Sequence, residues 1–209
     1  MIIPYKNYKN IIFDLGGVIL NIDYSLTVDE FIELGITDFN KLFTQAKQNH
    51  FFDLVDKGSI SSDDFRTEMK KHLKSSVEDY KIDEAWNAML LDLPNERLDL
   101  LSQIKTTHRI FLLSNTNKIH IDAFHLYLEK DFGIPDLSAY FEKMYFSYKV
   151  GMRKPDAEIF KLVLHENNLQ PHETLFIDDS VQHIEGAKKL GIETYWLDTT
   201  KESITDIFV

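Results

Sequence analysis

The segment NIIFDLGGVIL, residues 10–20, is the stretch that decides the fold. Its apolar residues 11–13 are typical of a strand that lies buried in a sheet. An acidic residue, Asp14, follows the strand at once, and Gly16 and Gly17 come shortly after it. Taken alone, this pattern fits a tight turn as well as a ligand site. Glycines let the backbone approach a ligand closely. If other strands also end on polar residues, the carboxylate beside these glycines indicates a ligand site.

Four further apolar runs are short and rich in β-branched or aromatic residues, as buried strands are. They are residues 109–114, 143–148, 174–178 and 194–197. Helical patterns separate them over about 95–106, 117–130, 156–168 and 181–190. This alternation predicts an α/β fold, a Rossmann-like parallel sheet with helices on both faces. We expect all of its strands to be buried.

Residues 22–92 interrupt the alternation with a long and mostly helical stretch. Within it, Phe65, Met69 and Leu73 follow one another at a spacing of four, which predicts one apolar helix face. We interpret the stretch as a small helical cap inserted after the first strand. The predicted division is a cap of residues 22–92 and a Rossmann-like catalytic core of residues 1–21 and 93–209.

Composition excludes several functional classes. The chain has 209 residues, a formal net charge of −11 and no cysteine. The lack of cysteine excludes disulfides, zinc–thiolate sites and a cysteine nucleophile. The negative charge argues against binding to nucleic acid or to an anionic membrane surface. There is no signal-peptide pattern and no run approaching the ~18 apolar residues of a membrane span. We therefore expect a cytoplasmic protein, monomeric or homodimeric, without nucleic-acid or membrane partners.

Polar residues also follow the other predicted strands. Ser114 and Asn115 end one strand, and the adjacent acids Asp178 and Asp179 end another. Two neighbouring carboxylates repel each other, and burial raises the cost of their charges, so a divalent cation would remove both problems. Mg²⁺ is a hard cation that binds one or two carboxylates together with the oxygens of a substrate phosphate. Asp14 is then a candidate nucleophile toward phosphorus.

The same residues predict how a phosphoryl group is held. The Ser114 hydroxyl and the amide of Asn115, at the start of a helix, are suited to phosphate oxygens. Lys154 supplies a positive charge for the phosphoryl group and for Asp14. Its neighbour Arg153 either contacts substrate or pairs with an acid. These residues together predict phosphoryl transfer, with a small phosphorylated metabolite as the partner.

The chain resembles the haloacid dehalogenase-like (HAD) hydrolase superfamily, whose four motifs are present in order. They are FDLGGV at 13–18, LLSNTN at 112–117, GMRKPD at 151–156 and FIDDS at 176–180. Among its members the motifs are most similar to bacterial α-D-glucose-1-phosphate phosphatases and to the phosphatase domain of soluble epoxide hydrolases. The resemblance implies an aspartyl-phosphate on Asp14, with Ser114 and Lys154 as phosphate ligands. It also implies Mg²⁺ bound by Asp14, the Gly16 carbonyl and Asp179, with Asp178 binding directly or through water.

Gly16 departs from the family pattern, because most phosphatases of the family carry there a second Asp that protonates the leaving group. Our first candidate to replace that general acid is Asp23. A good leaving group, such as the anomeric oxygen of glucose 1-phosphate, would also lessen the need for it. Two alternatives stay open. One is a catalytically weak or inactive binding or regulatory protein, and the other is a metal-free 2-haloacid dehalogenase.

The eight histidines show no metal-ligand spacing beside other ligands, so we expect most of them to be surface or capping residues. His120, which follows the second motif, is the one we consider for substrate contact. Phe51, Phe52 and Trp86 of the cap are expected to be core residues.

Overall fold

A computed structural model describes residues 5–39, 50–73 and 76–208. Its centre is a parallel sheet of five strands in the order β3-β2-β1-β4-β5. The strands are β1 (Asn10–Phe13), β2 (Arg109–Ser114), β3 (Lys143–Phe146), β4 (Thr174–Asp178) and β5 (Glu193–Trp196). The predicted α/β fold class is confirmed.

The register of the central strand brings three strand ends together. Phe13, the last residue of β1, is paired with Leu112 of β2 and Ile177 of β4. The amide of Asp14 continues the ladder by donating to the Ile177 carbonyl at 3.0 Å. Because the strands are parallel, the residues that follow them lie at one edge of the sheet. The sheet therefore places the strand ends that belong to the first, second and fourth motifs side by side.

Helices cover both faces of the sheet. Ile11 and Phe13 belong to one apolar cluster, whereas Ile12 belongs to another, because successive strand side chains point to opposite faces. The first cluster includes residues of α5 (Asn95–Ile104), α6 (Lys118–Phe132) and α10 (Ile204–Ile207). The second includes residues of α8 (Ala157–Glu166) and α9 (Val181–Lys188). Short elements are α7 (Ser147–Val150) and the 3₁₀ turns Tyr5–Asn7 and Pro171–Glu173.

The described residues between 22 and 92 form helices and a third apolar cluster. The helices are α1 (Tyr24–Glu33), α2 (His50–Asp56), α3 (Ser62–His72) and α4 (Asp79–Asn87). Phe31, Phe52, Phe65 and Trp86 form the aromatic centre of this cluster, and Ile119 of α6 joins it. Trp86 stacks on Phe52 with 5.5 Å between ring centroids. The division into a cap of residues 22–92 and a catalytic core stays a prediction, and Ile119 of the predicted core packs with the cluster of the predicted cap.

One expectation about burial is wrong. β5 was predicted to be a buried strand, yet Glu193 and Trp196 are exposed and the two residues between them are only half-buried. β5 is an edge strand, paired only with β4 in the described sheet, so one side of it faces solvent. None of the helices in the described ranges is both long enough and apolar enough to cross a bilayer.

Candidate active site

A fully buried lysine lies at the floor of the site. Lys154, on the loop between α7 and α8, places its Nζ 2.9 Å from Asp14 Oδ1 and 2.6 Å from Asp178 Oδ2. Burial lowers the pKa of Lys154, but the two carboxylates outweigh this effect and the net shift is upward. The lysine is therefore charged, and it joins the end of β1 to the end of β4. A buried charge of this kind is tolerated only because it is paired.

His183 holds the other side of Asp178. Its Nδ1 lies 3.0 Å from each Asp178 oxygen, and the Ser180 amide donates to Asp178 Oδ1 at 2.8 Å. Burial raises the pKa of Asp178, but Lys154 and His183 lower it by a larger amount. The net shift is downward, so this carboxyl is ionised. The sequence interpretation had placed His183 among surface or capping residues. Its position one helical turn after the paired acids was the signal available for it.

Asn115 ties the second motif to the third. Its side-chain oxygen accepts from the Lys154 amide, and its Nδ2 donates to the Lys154 carbonyl, both at 2.9 Å. The next residue, Thr116, exchanges two hydrogen bonds with the buried Ser147 hydroxyl, at 2.8 and 2.9 Å. Ser114 is buried at the end of β2, with its Oγ 3.4 Å from the Asn115 carbonyl. The Asn115 side chain thus positions Lys154, and phosphate binding by Ser114 and Asn115 stays a prediction.

The two glycines of the first motif have different surroundings. Gly17 has φ +75°, and a Cβ there would lie 2.3 Å from Asp179 Oδ2, so the Asp179 carboxylate lies directly against this backbone. A Cβ at Gly16 would lie 3.1 Å from Ile22 Cδ1, which is tighter than ordinary contact. A side chain at position 16 is therefore crowded by Ile22, and the Gly17 backbone forms a cradle for Asp179.

The strand ends open into a cavity of about 280 Å³. The core contributes polar walls to it, and the helical region contributes a mixed roof. The core residues include Asp14, Gly16, Asn115, Thr116, His120, Arg153, Asp179 and His183. The roof is formed by Tyr24, Asp53, Asp56, Trp86 and Met89.

The sequence of the chain matches one protein family over most of its length. Residues 8–191 match the model of the haloacid dehalogenase-like hydrolases. The chain belongs to the HAD-like hydrolase family. The resemblance inferred from the four motifs is thereby confirmed.

Relatives of this HAD-like hydrolase include phosphatases and magnesium complexes. D-ribitol-5-phosphate phosphatase of Bacteroides thetaiotaomicron is 33% identical over 187 residues, which cover 90% of each chain. The HAD family enzyme BT-2542 of that species, solved with magnesium and inorganic phosphate, has a TM-score of 0.82 at 36% identity, over 93% of this chain and 96% of its own. A HAD-like family hydrolase of Porphyromonas gingivalis has a TM-score of 0.84 at 28% identity, over 94% of both chains. The predicted class, a phosphoric monoester hydrolase, is confirmed.

The residues of this HAD-like hydrolase fit Mg²⁺. Burial raises the pKa of both Asp14 and Asp179, the latter to about 6 with a further contribution from Asp178, so a nearby cation would stabilise their ionised forms. Carboxylate oxygens are the donors that Mg²⁺ prefers. Ligand atoms of Asp14, Asp178 and His183 also lie within 4.8 Å of one another. With magnesium bound in the solved relative, the predicted cofactor is confirmed. The individual ligands, including the Gly16 carbonyl, stay a prediction.

Arg153 is paired with acids of α2. Its guanidinium contacts Asp53 Oδ1 closely, and its second terminal nitrogen lies 3.8 Å from Asp56 Oδ2. Of the two roles considered for Arg153, the structure therefore shows the ion pair. Arg153 also lines the cavity, so a contact with substrate stays a prediction.

His120 is a buried and neutral part of the cavity wall. Its ring stacks on Trp86 with 4.9 Å between centroids, and its Nδ1 lies 2.8 Å from Asn87 Oδ1. Burial lowers the pKa of His120 to about 3, so the ring carries no charge at neutral pH. Trp86 is a core residue as predicted, and it also faces the cavity.

The structure places Asp23 at the start of α1, and its role as the replacement acid stays an untested prediction. Asp23 is exposed and caps α1, where Oδ1 accepts from the Ser25 amide at 2.9 Å and from the Ser25 hydroxyl at 2.6 Å. These hydrogen bonds lower the pKa of Asp23, which favours the carboxylate and makes it a poor proton donor. It does not line the cavity that contains Asp14.

Proposed function

We propose that this protein is a Mg²⁺-dependent phosphatase of small phosphorylated polyols and sugars that forms an aspartyl-phosphate on Asp14. The observation that carries the proposal is the buried Lys154, which contacts both Asp178 and Asp14, and Asp14 lines the cavity. The similarity to D-ribitol-5-phosphate phosphatase supports the substrate class. D-ribitol 5-phosphate is therefore the first ester to test, and glucose 1-phosphate is the second.

Each residue at the floor has a defined task in this proposal. An Asp14 oxygen attacks phosphorus as the bond from phosphorus to the leaving oxygen breaks. The amide of Leu15 donates to Asp14 Oδ1 at 2.7 Å and, with Lys154, fixes the direction of the carboxylate. Lys154 also neutralises charge on the phosphoryl oxygens. Mg²⁺, held by Asp14, Asp179 and the Gly16 carbonyl, would supply further positive charge for the phosphoryl group.

The cavity suits a small and polar ester. Its volume of about 280 Å³ lies just below the range for ligand pockets, about 300–1,000 Å³. Its roof presents hydrogen-bonding groups of Tyr24, Asp53 and Asp56. Carboxylates and a phenol are complementary to the hydroxyl groups of a polyol. The formal net charge of −11 repels anions at long range, so local cations at the floor are needed to bind phosphate.

The test is phosphate release from a panel of esters with Mg²⁺ and with a chelator. We expect the wild type to hydrolyse at least one sugar or polyol phosphate only when Mg²⁺ is present. Asp14→Asn keeps the shape of the side chain but removes the nucleophile, so its turnover should be lost. Turnover that persists with the chelator or in Asp14→Asn would contradict the proposal.

The second candidate function is a binding or regulatory protein, and the absence of an acid at Gly16 favours it. It predicts that phosphate esters bind, as measured by calorimetry, without turnover even of an activated aryl ester. The dehalogenase alternative predicts halide release from 2-haloacids without metal. Phosphate release, calorimetric binding and halide release together separate the three functions.

A further inference from the structure

The proposed reaction needs a proton donor that the first motif does not supply. An alkoxide leaving group must gain a proton as it departs, and the HAD acid that would provide it is replaced here by Gly16. Asp23 is less suited to the role, because it caps α1 and does not line the cavity that contains Asp14. The donor should therefore be sought among the other groups that line the cavity with Asp14.

We propose that Asp56, on α2, is the general acid and base of this enzyme. The inference rests on the proposed phosphatase function and deepens it. Asp56 is buried and lines the same cavity as Asp14 and Gly16, although it comes from the helical region above the sheet. Asp56 is therefore an acid of the roof that shares one cavity with the proposed nucleophile.

Other titratable groups lining the cavity within the described ranges have different tasks. Asp14 and Asp179 belong to the nucleophile and the predicted metal site, and His183 is bonded to Asp178. His120 is neutral, with its Nδ1 paired to Asn87. The remaining groups are Asp53, Tyr24 and the permanently charged Arg153.

Asp53 and Tyr24 are less suited to the role than Asp56. Asp53 forms a close ion pair with Arg153, and its side chain is 31% exposed, whereas that of Asp56 is 11% exposed and 3.8 Å from the same guanidinium. Burial raises the pKa of Tyr24, and so do Asp179, Asp14 and Asp56. A phenol in such surroundings holds its proton too strongly to exchange it at neutral pH.

Charges around Asp56 allow it to exist in both protonation states. The charged and titratable groups that act on it in the described part of the chain are Arg153, Asp53 on its own helix and Tyr24 on α1. Burial raises the pKa of Asp56 to about 6, Arg153 opposes this shift and Asp53 adds to it. The Asn117 side chain also lowers the pKa of Asp56 through a hydrogen bond. Because Asp53 takes the closer contact with Arg153, it limits how far that cation can hold Asp56 ionised. A carboxyl near neutrality can both donate and accept a proton.

The two steps balance as follows. In the first, the Asp14 oxygen–phosphorus bond forms, the bond from phosphorus to the leaving oxygen breaks, and the Asp56 proton moves to that oxygen to give the alcohol. In the second, Asp56 takes a proton from water while the water oxygen bonds to phosphorus. The bond between Asp14 and phosphorus then breaks, which releases inorganic phosphate and restores both carboxyl groups.

The experiment compares an alkyl ester with an activated aryl ester in matched variants. The aryl ester, 4-nitrophenyl phosphate, has a leaving group that needs no proton, so it reports whether the nucleophile and metal site are intact. The alkyl ester is D-ribitol 5-phosphate or the panel ester that the wild type hydrolyses fastest. The variants are Asp56→Asn, Asp53→Asn, which removes the neighbouring acid of the same ion pair, and Tyr24→Phe.

We expect Asp56→Asn to lower kcat/KM for the alkyl ester by about 100-fold or more, within the range of general acid catalysis, and for the aryl ester by much less. Asp53→Asn and Tyr24→Phe should change both esters by similar factors. In the wild type, kcat/KM for the alkyl ester should fall as pH rises through the pKa of Asp56. That fall should begin at lower pH in Asp53→Asn, because Arg153 then acts on Asp56 alone, and it should be absent in Asp56→Asn.

Three results would overturn the assignment. They are an equal loss on both esters in Asp56→Asn, a selective loss in Tyr24→Phe instead, or a wild type that hydrolyses the aryl ester alone. A wild type that releases phosphate from no ester would refute the proposed function itself. Retained aryl-ester turnover in Asp56→Asn shows that this variant is folded, so a selective alkyl-ester loss is not a folding defect.

Discussion

Replacing Gly17 with alanine would test the cradle that places Asp179 beside the first motif. Gly17 has φ +75°, a conformation that costs a residue with a side chain about 1–2 kcal/mol. The new Cβ would also lie 2.3 Å from Asp179 Oδ2, whereas ordinary van der Waals contact begins at 3.4 Å, so the carboxylate must move by about 1 Å. Gly17→Ala should therefore lose both stability and magnesium affinity.

Gly133→Ala is the matched control, because it has the same strain without the collision. Gly133 ends α6 with φ +68°, and nothing lies within 4 Å of the position where its Cβ would stand. Both variants should lose about 1–2 kcal/mol in the free energy of unfolding, measured by denaturant with a chelator present. Residues that orient metal ligands typically change metal affinity about 10–100-fold, so the Kd for Mg²⁺ should rise at least about tenfold in Gly17→Ala alone.

Calorimetric titration with Mg²⁺ gives the decisive comparison for these two variants. An unchanged magnesium Kd in Gly17→Ala would refute the cradle. An equal rise in Gly133→Ala would assign the effect to general loss of stability. Either result would contradict the role of Gly17 in placing Asp179 for the metal.

Two further outcomes follow from the contacts of Lys154 and Asp23. Lys154→Met should lower the free energy of unfolding by about 3–5 kcal/mol in denaturant titrations, because the buried carboxylates of Asp14 and Asp178 lose their shared cation. The control variant Lys149→Met, at an exposed lysine, should have little effect on the free energy of unfolding. Equal stability of the two variants would contradict this interpretation. Asp23→Asn should keep the ratio of alkyl-ester to aryl-ester kcat/KM, since Asn caps a helix as well as Asp does. A fall in that ratio would return Asp23 to the role of general acid.

Local patterns predicted most of the fold. The apolar runs 109–114 and 174–178 coincide with β2 and β4, because buried parallel strands need continuous apolar residues. The exposure of Trp196 could not be predicted in this way, because it depends on β5 lying at the sheet edge. The order of strands is set by crossovers between distant segments, and a local run of residues does not contain that information.

The sequence predicted the site residues that lie at the shared edge of the sheet. It did not predict the residues that the helical region contributes to the roof of the cavity. Asp14 and Asp178 each end an apolar strand, so their proximity to each other follows from a parallel sheet. Arg153 pairs with Asp53 across a hundred residues, and no local pattern connects them. The sequence did not show that Asp23 caps a helix by accepting from the Ser25 amide two residues later, and capping competes with catalysis as a reason for an acid there.

The central claim is that Asp14 becomes phosphorylated, and trapping of the intermediate tests it most directly. Enzyme mixed with substrate and Mg²⁺ is quenched with acid within one turnover and reduced with borohydride, which converts a phosphorylated aspartate into homoserine. Mass spectrometry of the peptides then locates the modified residue. We predict homoserine at position 14, only with substrate and Mg²⁺. Phosphate release with no modification there, or with modification of another acid, would contradict the account.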